Sequence, residues 1–420
     1  MQTVEDQDSQ RLDVYWVNQF AAPPDQPGGS RHFEFARELR RRGHRVRILA
    51  SDLSYKTGRY SRRAGARDLR MIDEHVDGVP FTWLTVGTGR ADGWRRGIGM
   101  VVFGLNALVA LLRAPRSRGS TVFVGSSPQL LAALATWCAA RLRRVPFVFE
   151  VRDLWPESYV AVSGRTRGPE VWVMARIADL LYRRSDALIV LAAANADHVV
   201  ERGAAADAVV HVPNGVDVEG FLDGEPAVDL AEEGVVTFVY AGAHGPANDL
   251  ATVVRSCALL ERRGRGDIRV VLIGDGVAKE SLLRLAASLQ VDNLRFIDPI
   301  PKSAVGPTIA TADAGLMVLA PVELFASGVS PNKLFDYLAA GLPVLTNVAG
   351  FVSDVVAEAG VGISVGGGDP AALADGMEML ADDLPAHAAT RGPAFVRERY
   401  DRRVLADRVE ELLTGLASPA

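Results

Sequence analysis

Only two cysteines occur in 420 residues, Cys138 and Cys257, and they lie 119 positions apart in apolar runs. That excludes a disulfide framework or a cysteine zinc cluster and fits a reducing compartment. The seven histidines (32, 44, 75, 198, 211, 244, 387) show no metal-ligand spacing. Neither a Gly-x-Ser-x-Gly nucleophile elbow nor a Walker Gly-Lys-Ser/Thr loop is present. No uninterrupted apolar stretch reaches the roughly 20 residues of a bilayer-spanning helix. The polar opening MQTVEDQDSQ does not read as a secretory signal, and residues 1–11 are expected to be disordered.

What is present is average for a soluble chain: 48% hydrophobic and 23% charged residues. At about 150 residues per domain, the length suggests two or three domains. The net charge of −5 is unevenly placed. Between Arg31 and Gly119, 19 Lys/Arg face 8 Asp/Glu, a local excess of +11. Such a basic stretch in an acidic chain points to an anionic partner or to solvated arginine on helix faces.

Short β-rich runs alternate with longer amphipathic segments. Strand-like LDVYWVNQF (12–20) precedes a helical run with apolar residues at 33, 35, 36 and 39 that stops at Gly43. TVFVG (121–125) leads to SSP, which reads as a serine cap with Pro128 in the first helical turn. After Asp217 the rhythm restarts with VVTFVYAG (235–242), IRVVLIGDG (268–276) and LRFIDPI (294–300). This alternation predicts α/β architecture with parallel sheets covered on both faces. The expected layout is two facing Rossmann-like, doubly wound domains, 12–215 and 216–395, with an interdomain cleft and a C-terminal helix, 396–420, crossing back to the first domain. Ligands of such sheets bind beyond the carboxyl ends of the strands.

The most informative segment is SPNKLFDYLAAGLPV, 330–344. Ser330 reads as a helix cap with Pro331 at the first position. Free amides at that helix start suit a phosphate, and Lys333 adds a full positive charge. Asp336, one turn on and on the same face as Asn332 and Lys333, is placed to accept hydrogen bonds from a ribose. Diphosphate plus ribose is the footprint of a nucleotide. An ordinary capped helix with an Asp–Lys surface pair is the bland alternative.

This segment resembles the nucleotide-sugar site of retaining glycosyltransferases of the GT-B fold, family 4, in particular the branch of the bacterial N-acetyl-L-fucosamine transferase. Pro27-Gly28-Gly29-Ser30-Arg31, Arg152-Asp153-Leu154-Trp155-Pro156-Glu157-Ser158, Pro213-Asn214-Gly215-Val216-Asp217 and Gly274-Asp275-Gly276 match in the expected order. The resemblance implies a donor set of Gly28, Gly29, Gly242, His244, Gly274, Gly276, Ile300, Ser330, Pro331, Asn332, Lys333 and Asp336. It also implies retention of configuration without a metal or other cofactor, a UDP-sugar donor, possible N-acetylation of the sugar, and a polyprenyl-diphosphate-linked acceptor. Asp153 and Glu157, four apart past a strand, are candidate bases, with a helix cap or an Arg152 pair as the alternative for Asp153. Lys333 is assigned to the departing phosphate and Arg152 is the second choice.

Two departures stand out. The wider family's first glutamate falls on Gly328, with Glu323 nearby but out of register. The loop Gly242-Ala243-His244-Gly245-Pro246-Ala247-Asn248-Asp249 lacks the family's Arg and Lys.

The segment 94–118 contains fifteen residues, IGMVVFGLNALVALL, between arginines. It reads either as a buried core helix or as an interfacial one on an anionic membrane, at the inner face of the cell membrane of a cytoplasmic protein. The loop 51–70, with Arg59, Arg62, Arg63, Arg67 and Arg70, binds phosphate or is a mobile solvated loop. Competing readings are a tailoring glycosyltransferase with a soluble small-molecule acceptor and a degenerate nucleotide-sugar-binding protein. Nucleic acid is not an expected partner.

Overall fold

The computed structural model describes residues 11–23, 30–54, 58–88, 93–115 and 120–417. Expectations placed on residues 1–10 and on Gly28 and Gly29 lie outside these. The chain divides into two compact units, Met1–Val212 with Leu405–Ala420, and Pro213–Val404.

The first unit is built on an eight-stranded sheet. Its strands are β1 (Leu12–Val17), β2 (Arg45–Ala50), β5 (Ile72–Val76), β6 (Val79–Trp83), β7 (Ser120–Ser126), β8 (Phe147–Val151), β9 (Ala187–Val190) and β10 (Val209–His211). A two-stranded ribbon, β3 (Leu53–Ser54) and β4 (Arg59–Tyr60), stands apart. The order is β10-β9-β8-β7-β1-β2-β6-β5, and all neighbours are parallel except β5 with β6. That hairpin turns through Asp77 (φ 46°) and Gly78 (φ 79°), positive dihedrals that an Asp-Gly pair supplies at low strain. The helices are α1 (Arg31–Arg41), α2 (Gly93–Arg113), α3 (Leu130–Arg143), α4 (Glu157–Ser163), α5 (Pro169–Arg184) and α6 (Ala194–Glu201). Phe33, Phe35, Ala36 and Leu39 of α1 are buried as their spacing requires. The start of α3 differs from expectation. The Gln129 side chain accepts from Ala132 N at 2.7 Å and caps it, while Pro128 precedes the helix in a cis peptide.

The second unit holds β11 (Val236–Ala241), β12 (Ile268–Ile273), β13 (Leu294–Ile297), β14 (Ala314–Met317), β15 (Val344–Thr346) and β16 (Gly362–Ser364), all parallel. Their order, β13-β12-β11-β14-β15-β16, reverses between β11 and β14, so the crevice for a ligand lies past the carboxyl ends of those two strands. The helices are α7 (Leu250–Arg262), α8 (Lys279–Ser288), α9 (Lys302–Ile309), α10 (Glu323–Ser327), α11 (Asn332–Ala339), α12 (Phe351–Ala359), α13 (Pro370–Asp382) and α14 (Ala388–Arg399). Both units are thus Rossmann-like α/β folds.

The C-terminal segment is two helices rather than one: α14 ends at Arg399, and α15 (Arg402–Ala417) follows. From Leu405 onward the chain belongs to the first unit, where Leu405, Ala406, Val409 and Leu413 join the core around Trp16 and Phe35. An ion cluster holds the other side of α15. Arg42 reaches Asp407 at 2.6 Å and Glu410 at 2.7 Å, and His44 Nε2 meets Glu410 at 2.6 Å. Burial alone would raise the Glu410 carboxyl, but hydrogen bonds from Arg42 and His44 outweigh it and hold the pKa below the usual value. A depressed carboxylate stabilises above its unfolded pKa and loses that contribution as pH falls through the folded pKa. Glu410→Gln should therefore cost about 1 kcal/mol at neutral pH and nothing in acid. Urea denaturation at both pH values checks this, and equal losses would exclude the ion cluster as the cause.

Candidate functional site

The start of α11 is fixed by its own apolar face. Leu334, Phe335, Tyr337 and Leu338 are buried. The Tyr337 ring lies over Gly315, where an added Cβ would stand 2.4 Å from Cγ, and its hydroxyl accepts from Ala241 N at 3.1 Å. The helix is thereby pinned across β11 and β14, with its first turn at the sheet's switch point. Pro331 occupies the cap position and makes no side-chain cap hydrogen bond. Ser330 does not cap the helix either. Its hydroxyl accepts from Asn214 N at 2.9 Å and its carbonyl from Asn214 Nδ2 at 2.5 Å, tying down the 213–217 loop. With proline as the cap residue, nothing in that position competes for the first amides.

Lys333, on the first turn, extends over Gly242 at the end of β11. A Cβ there would be 3.4 Å from Nζ. Nζ is 3.4 Å from both Tyr240 Oη and Asn248 Oδ1 and 4.8 Å from the Tyr240 ring centroid. These are weak contacts for an ammonium group. Burial pulls the Lys333 pKa down to about 8, with Asp336 opposing. The structure thus brings together Gly242, Lys333 and the start of α11. It adds Tyr240 and Asn248, which sequence reasoning missed. Asn248 lay in the quoted loop, but nothing local says that it reaches a lysine 85 residues away. Asn332 sits beside Lys333 with its Oδ1 buried and, among the described residues, without a hydrogen-bond partner.

The Gly-Asp-Gly loop has a packing reason. A Cβ on Gly274 would be 1.9 Å from Gly242 O, and one on Gly276 would be 2.3 Å from His244 O. His244 N donates to Asp275 O at 3.0 Å and Ala278 N to His244 O at 2.9 Å, so the loops after β11 and β12 interlock. The His244 ring is fully buried, and neither ring nitrogen has a hydrogen-bond partner among the described residues. Burial, helped by Lys279, lowers its pKa to about 4, so it is neutral at pH 7. Lys279 is a second cation here that the sequence reading missed. Its Nζ is 3.0 Å from Gly274 O and 2.6 Å from Asp298. Ile300 packs at the edge of the second unit's core, Gly328 is buried, and Glu323 is exposed at the first residue of α10.

In the first unit, a buried polar cluster stands at the carboxyl ends of β1, β7 and β8. Arg31 Nε donates to Glu150 Oε1 at 2.8 Å and Nη2 donates to Val212 O at 2.9 Å. His32 Nε2 lies 2.9 Å from Glu150 Oε2, which also accepts from Ser126 Oγ at 2.6 Å. Burial would raise Glu150, but His32, Arg31 and Arg152 hold it well below the carboxylate range. Arg31, His32, Ser126 and Glu150 were not read as a group, because 119 residues separate Arg31 from Glu150.

Ser127 Oγ accepts from the amides of Arg152 and Asp153 at 2.8 and 3.1 Å and so shapes the loop after β8. Asp153 is open to water yet ringed by protein, and that crowding raises its pKa against the pull of Arg152. Glu157 is committed elsewhere, with Oε1 3.1 Å from Arg202 and 3.6 Å from His198. Trp155 stacks on Tyr159 with ring centroids 6.1 Å apart. The arginine loop is largely self-satisfied. Arg63 is buried against Asp52 at 2.8 Å, Arg62 pairs with Glu74 at 3.0 Å, and Arg70 pairs with Asp68 at 2.8 Å.

Comparison with known proteins agrees with these two units. Residues 28–215 match the glycosyl transferase 4-like domain, and residues 235–383 match the glycosyl transferases group 1 domain. The chain is 24% identical over 266 residues to "Probable glycosyltransferase WbjE" of Pseudomonas aeruginosa, covering 61% of this chain and 65% of that protein. It is 30% identical over 287 residues to a D-inositol 3-phosphate glycosyltransferase of Streptomyces avermitilis, covering 62% and 58%. The chain therefore spans less than two thirds of the length of either relative. Among solved structures, sucrose-phosphate synthase from Thermosynechococcus elongatus superposes with a TM-score of 0.73 at 15% identity, covering 96% of this chain and 98% of that one. Anabaena HepE in complex with UDP-glucose superposes with a TM-score of 0.69 at 15% identity, covering 96% and 99%. With a 4-like domain in the first unit and a group 1 domain in the second, the chain belongs to the glycosyltransferases of GT-B fold.

Proposed function

We propose that the second unit binds a nucleoside diphosphate sugar, UDP-linked in the first instance and N-acetylated in the resembling branch. The diphosphate sits on the first amides of α11 and on Lys333, and the ribose on Asp336. The observation that carries this reading is the Lys333 amine. It is half-buried at the switch point, with weak contacts to Tyr240 and Asn248 and an attraction to Asp336 that burial outweighs, so its pKa lies below the usual value. A cation in that state is stabilised by an incoming anion.

In the transfer, the bond between the anomeric carbon and the phosphate oxygen breaks, and the electron pair leaves on the diphosphate. Lys333 and the helix amides stabilise that charge without reorganising. The acceptor hydroxyl forms the new bond and gives up its proton. Asp153, open to water and with a raised pKa, is the carboxylate of the first unit assigned to that proton or to holding the hydroxyl. Glu157 is dropped from this role because Arg202 engages it. The configuration is retained, the acceptor is a lipid-linked glycan, and no metal is required, so turnover should persist in a chelator.

The test is a panel of UDP-, GDP- and dTDP-sugars assayed for nucleotide release, with calorimetry of UDP alone. Asp336→Ala should weaken UDP by about 1–3 kcal/mol, the scale of a charged hydrogen bond. Unchanged UDP affinity in that variant would remove Asp336 from the ribose, and absence of any nucleotide binding by the native chain would overturn the reading.

A further inference from the structure

The helix α2 is longer than its apolar run suggested. It covers Gly93–Arg113, and Arg95–Arg113 is long and apolar enough to cross a membrane by length and composition, with 28% of that window buried. Packing gives the helix two different faces. One face is core: Phe103, Ala107 and Leu111 are fully buried against the first unit. The opposite face is an exposed stripe of Ile98 (44%), Val101 (47%), Leu105 (57%), Val109 (37%) and Leu112 (43%). The spacing of three and four residues runs straight along the helix for about 21 Å.

We infer that this stripe lies flat on an anionic lipid bilayer. The helix is fastened along its length, so it stays on the first unit. Asn106 Nδ2 donates to Thr85 O at 3.1 Å, Gln129 Nε2 to Met100 O at 2.8 Å and Arg143 Nη1 to Leu111 O at 2.8 Å. Gly104 backs onto Leu131 O so closely that a Cβ would stand 3.1 Å away. A segment held this way presents one face to the interface and does not span.

The charge pattern selects the occupant. Between Gly93 and Arg113 there is no acidic residue, while Arg95, Arg96 and Arg113 are exposed at the two ends. Helix α3 packs against both α2 and α5, and α5 adds exposed Trp172 (60%) and Val173 (44%). The Arg176 guanidinium lies 5.5 Å from the Trp172 ring centroid. Arg165 and Arg167 are exposed just before α5, where Glu170, 3.9 Å from Arg165, is the acidic group. Apolar side chains flanked by arginine and an exposed tryptophan match the boundary between acyl chains and acidic headgroups. This inference is independent of the donor site.

The experiment is co-sedimentation of the full chain with vesicles of phosphatidylcholine and with vesicles that also contain phosphatidylglycerol. Binding to the anionic vesicles should be at least about tenfold stronger and should weaken with salt. Val101→Ser/Leu105→Ser/Val109→Ser should lose at least about tenfold in vesicle affinity with an unchanged melting curve. Arg96→Glu/Arg113→Glu should lose the preference for phosphatidylglycerol, and it decides the matter if the serine variant fails to fold. Absence of binding by the native chain, equal binding to both vesicles, full binding by a folded serine variant, or an intact preference in the arginine variant overturns the inference. Nucleotide release by the same preparations is expected to be normal in detergent-free buffer, which separates this result from the donor site.

Discussion

Lys333→Met is expected to abolish sugar transfer while making the protein more stable. The two effects share one cause. Burial lowers the Lys333 pKa to about 8 from an ordinary lysine value, so the folded chain carries a charge at a cost until an anion arrives. Removing that charge should raise unfolding stability by about 1–3 kcal/mol, since each pKa unit is worth about 1.4 kcal/mol and Lys333 is only half-buried. The same change removes the group assigned to the leaving diphosphate, and kcat/KM should fall by about 100-fold or more. Folding favours the neutral amine between about pH 8 and the unfolded lysine value, so the Lys333 cost fades as pH rises through that window. Donor capture runs the other way: kcat/KM of the native chain should decline as pH rises through about 8, where the free enzyme loses the proton. Initial-rate profiles and melting curves of both proteins check this. A methionine variant that is less stable, or a profile flat through pH 8 to 9, would place Lys333 outside the site.

Glu150→Gln is expected to be the most damaging single change in the first unit. Its carboxylate is fully buried between Arg31 and His32. Glutamine keeps the shape but removes the carboxylate that Arg31 Nε meets at 2.8 Å, a loss of about 3–5 kcal/mol. Arg31→Met/Glu150→Gln should recover part of it, because the buried guanidinium that the carboxylate neutralised is gone as well. His32 sets the acid limit. Burial lowers its pKa despite the pull of Glu150, so the folded protein holds it neutral. Below about pH 6.5 the unfolded chain takes up a proton that the folded chain refuses, and stability falls with pH. Glu150 adds a further loss at lower pH, because its folded pKa is depressed. Urea titrations between pH 7.5 and 5 read both. Catalysis should suffer as well, since Glu150 lies just before Arg152 and Asp153 and fixes the end of β8. If Glu150→Gln melts like the native chain and Arg31→Met/Glu150→Gln is no better, the cluster carries no net charge pairing.

Alternation of apolar runs gave both sheets and most helix positions, because period and turn signals are local properties of the chain. The β5–β6 hairpin is not part of that rhythm, since strand-helix alternation leaves no place for an antiparallel edge and its only local signal is the Asp77–Gly78 pair. Lys333 and the α11 segment were legible because cap, cation and helix lie within seven residues. Ser330 has the local signature of a cap, but the residue that engages its hydroxyl, Asn214, is 116 positions away. The reach of Lys333 to Asn248 and of Arg31 to Glu150 could not be read at all.

By itself, then, the sequence determined two Rossmann-like units, a cationic helix start in the second and an unusually apolar, arginine-flanked helix in the first. Only the tertiary structure decided which charges are already paired and which faces are covered. Glu157, Arg62 and Arg63 found partners, whereas the hydrogen bonds of Lys333 to Tyr240 and Asn248 are weak and the α2 stripe stays exposed. The physical reason is that strand order, not chain order, sets who meets whom, and a charge or an apolar side chain becomes functional only when that packing leaves it unsatisfied.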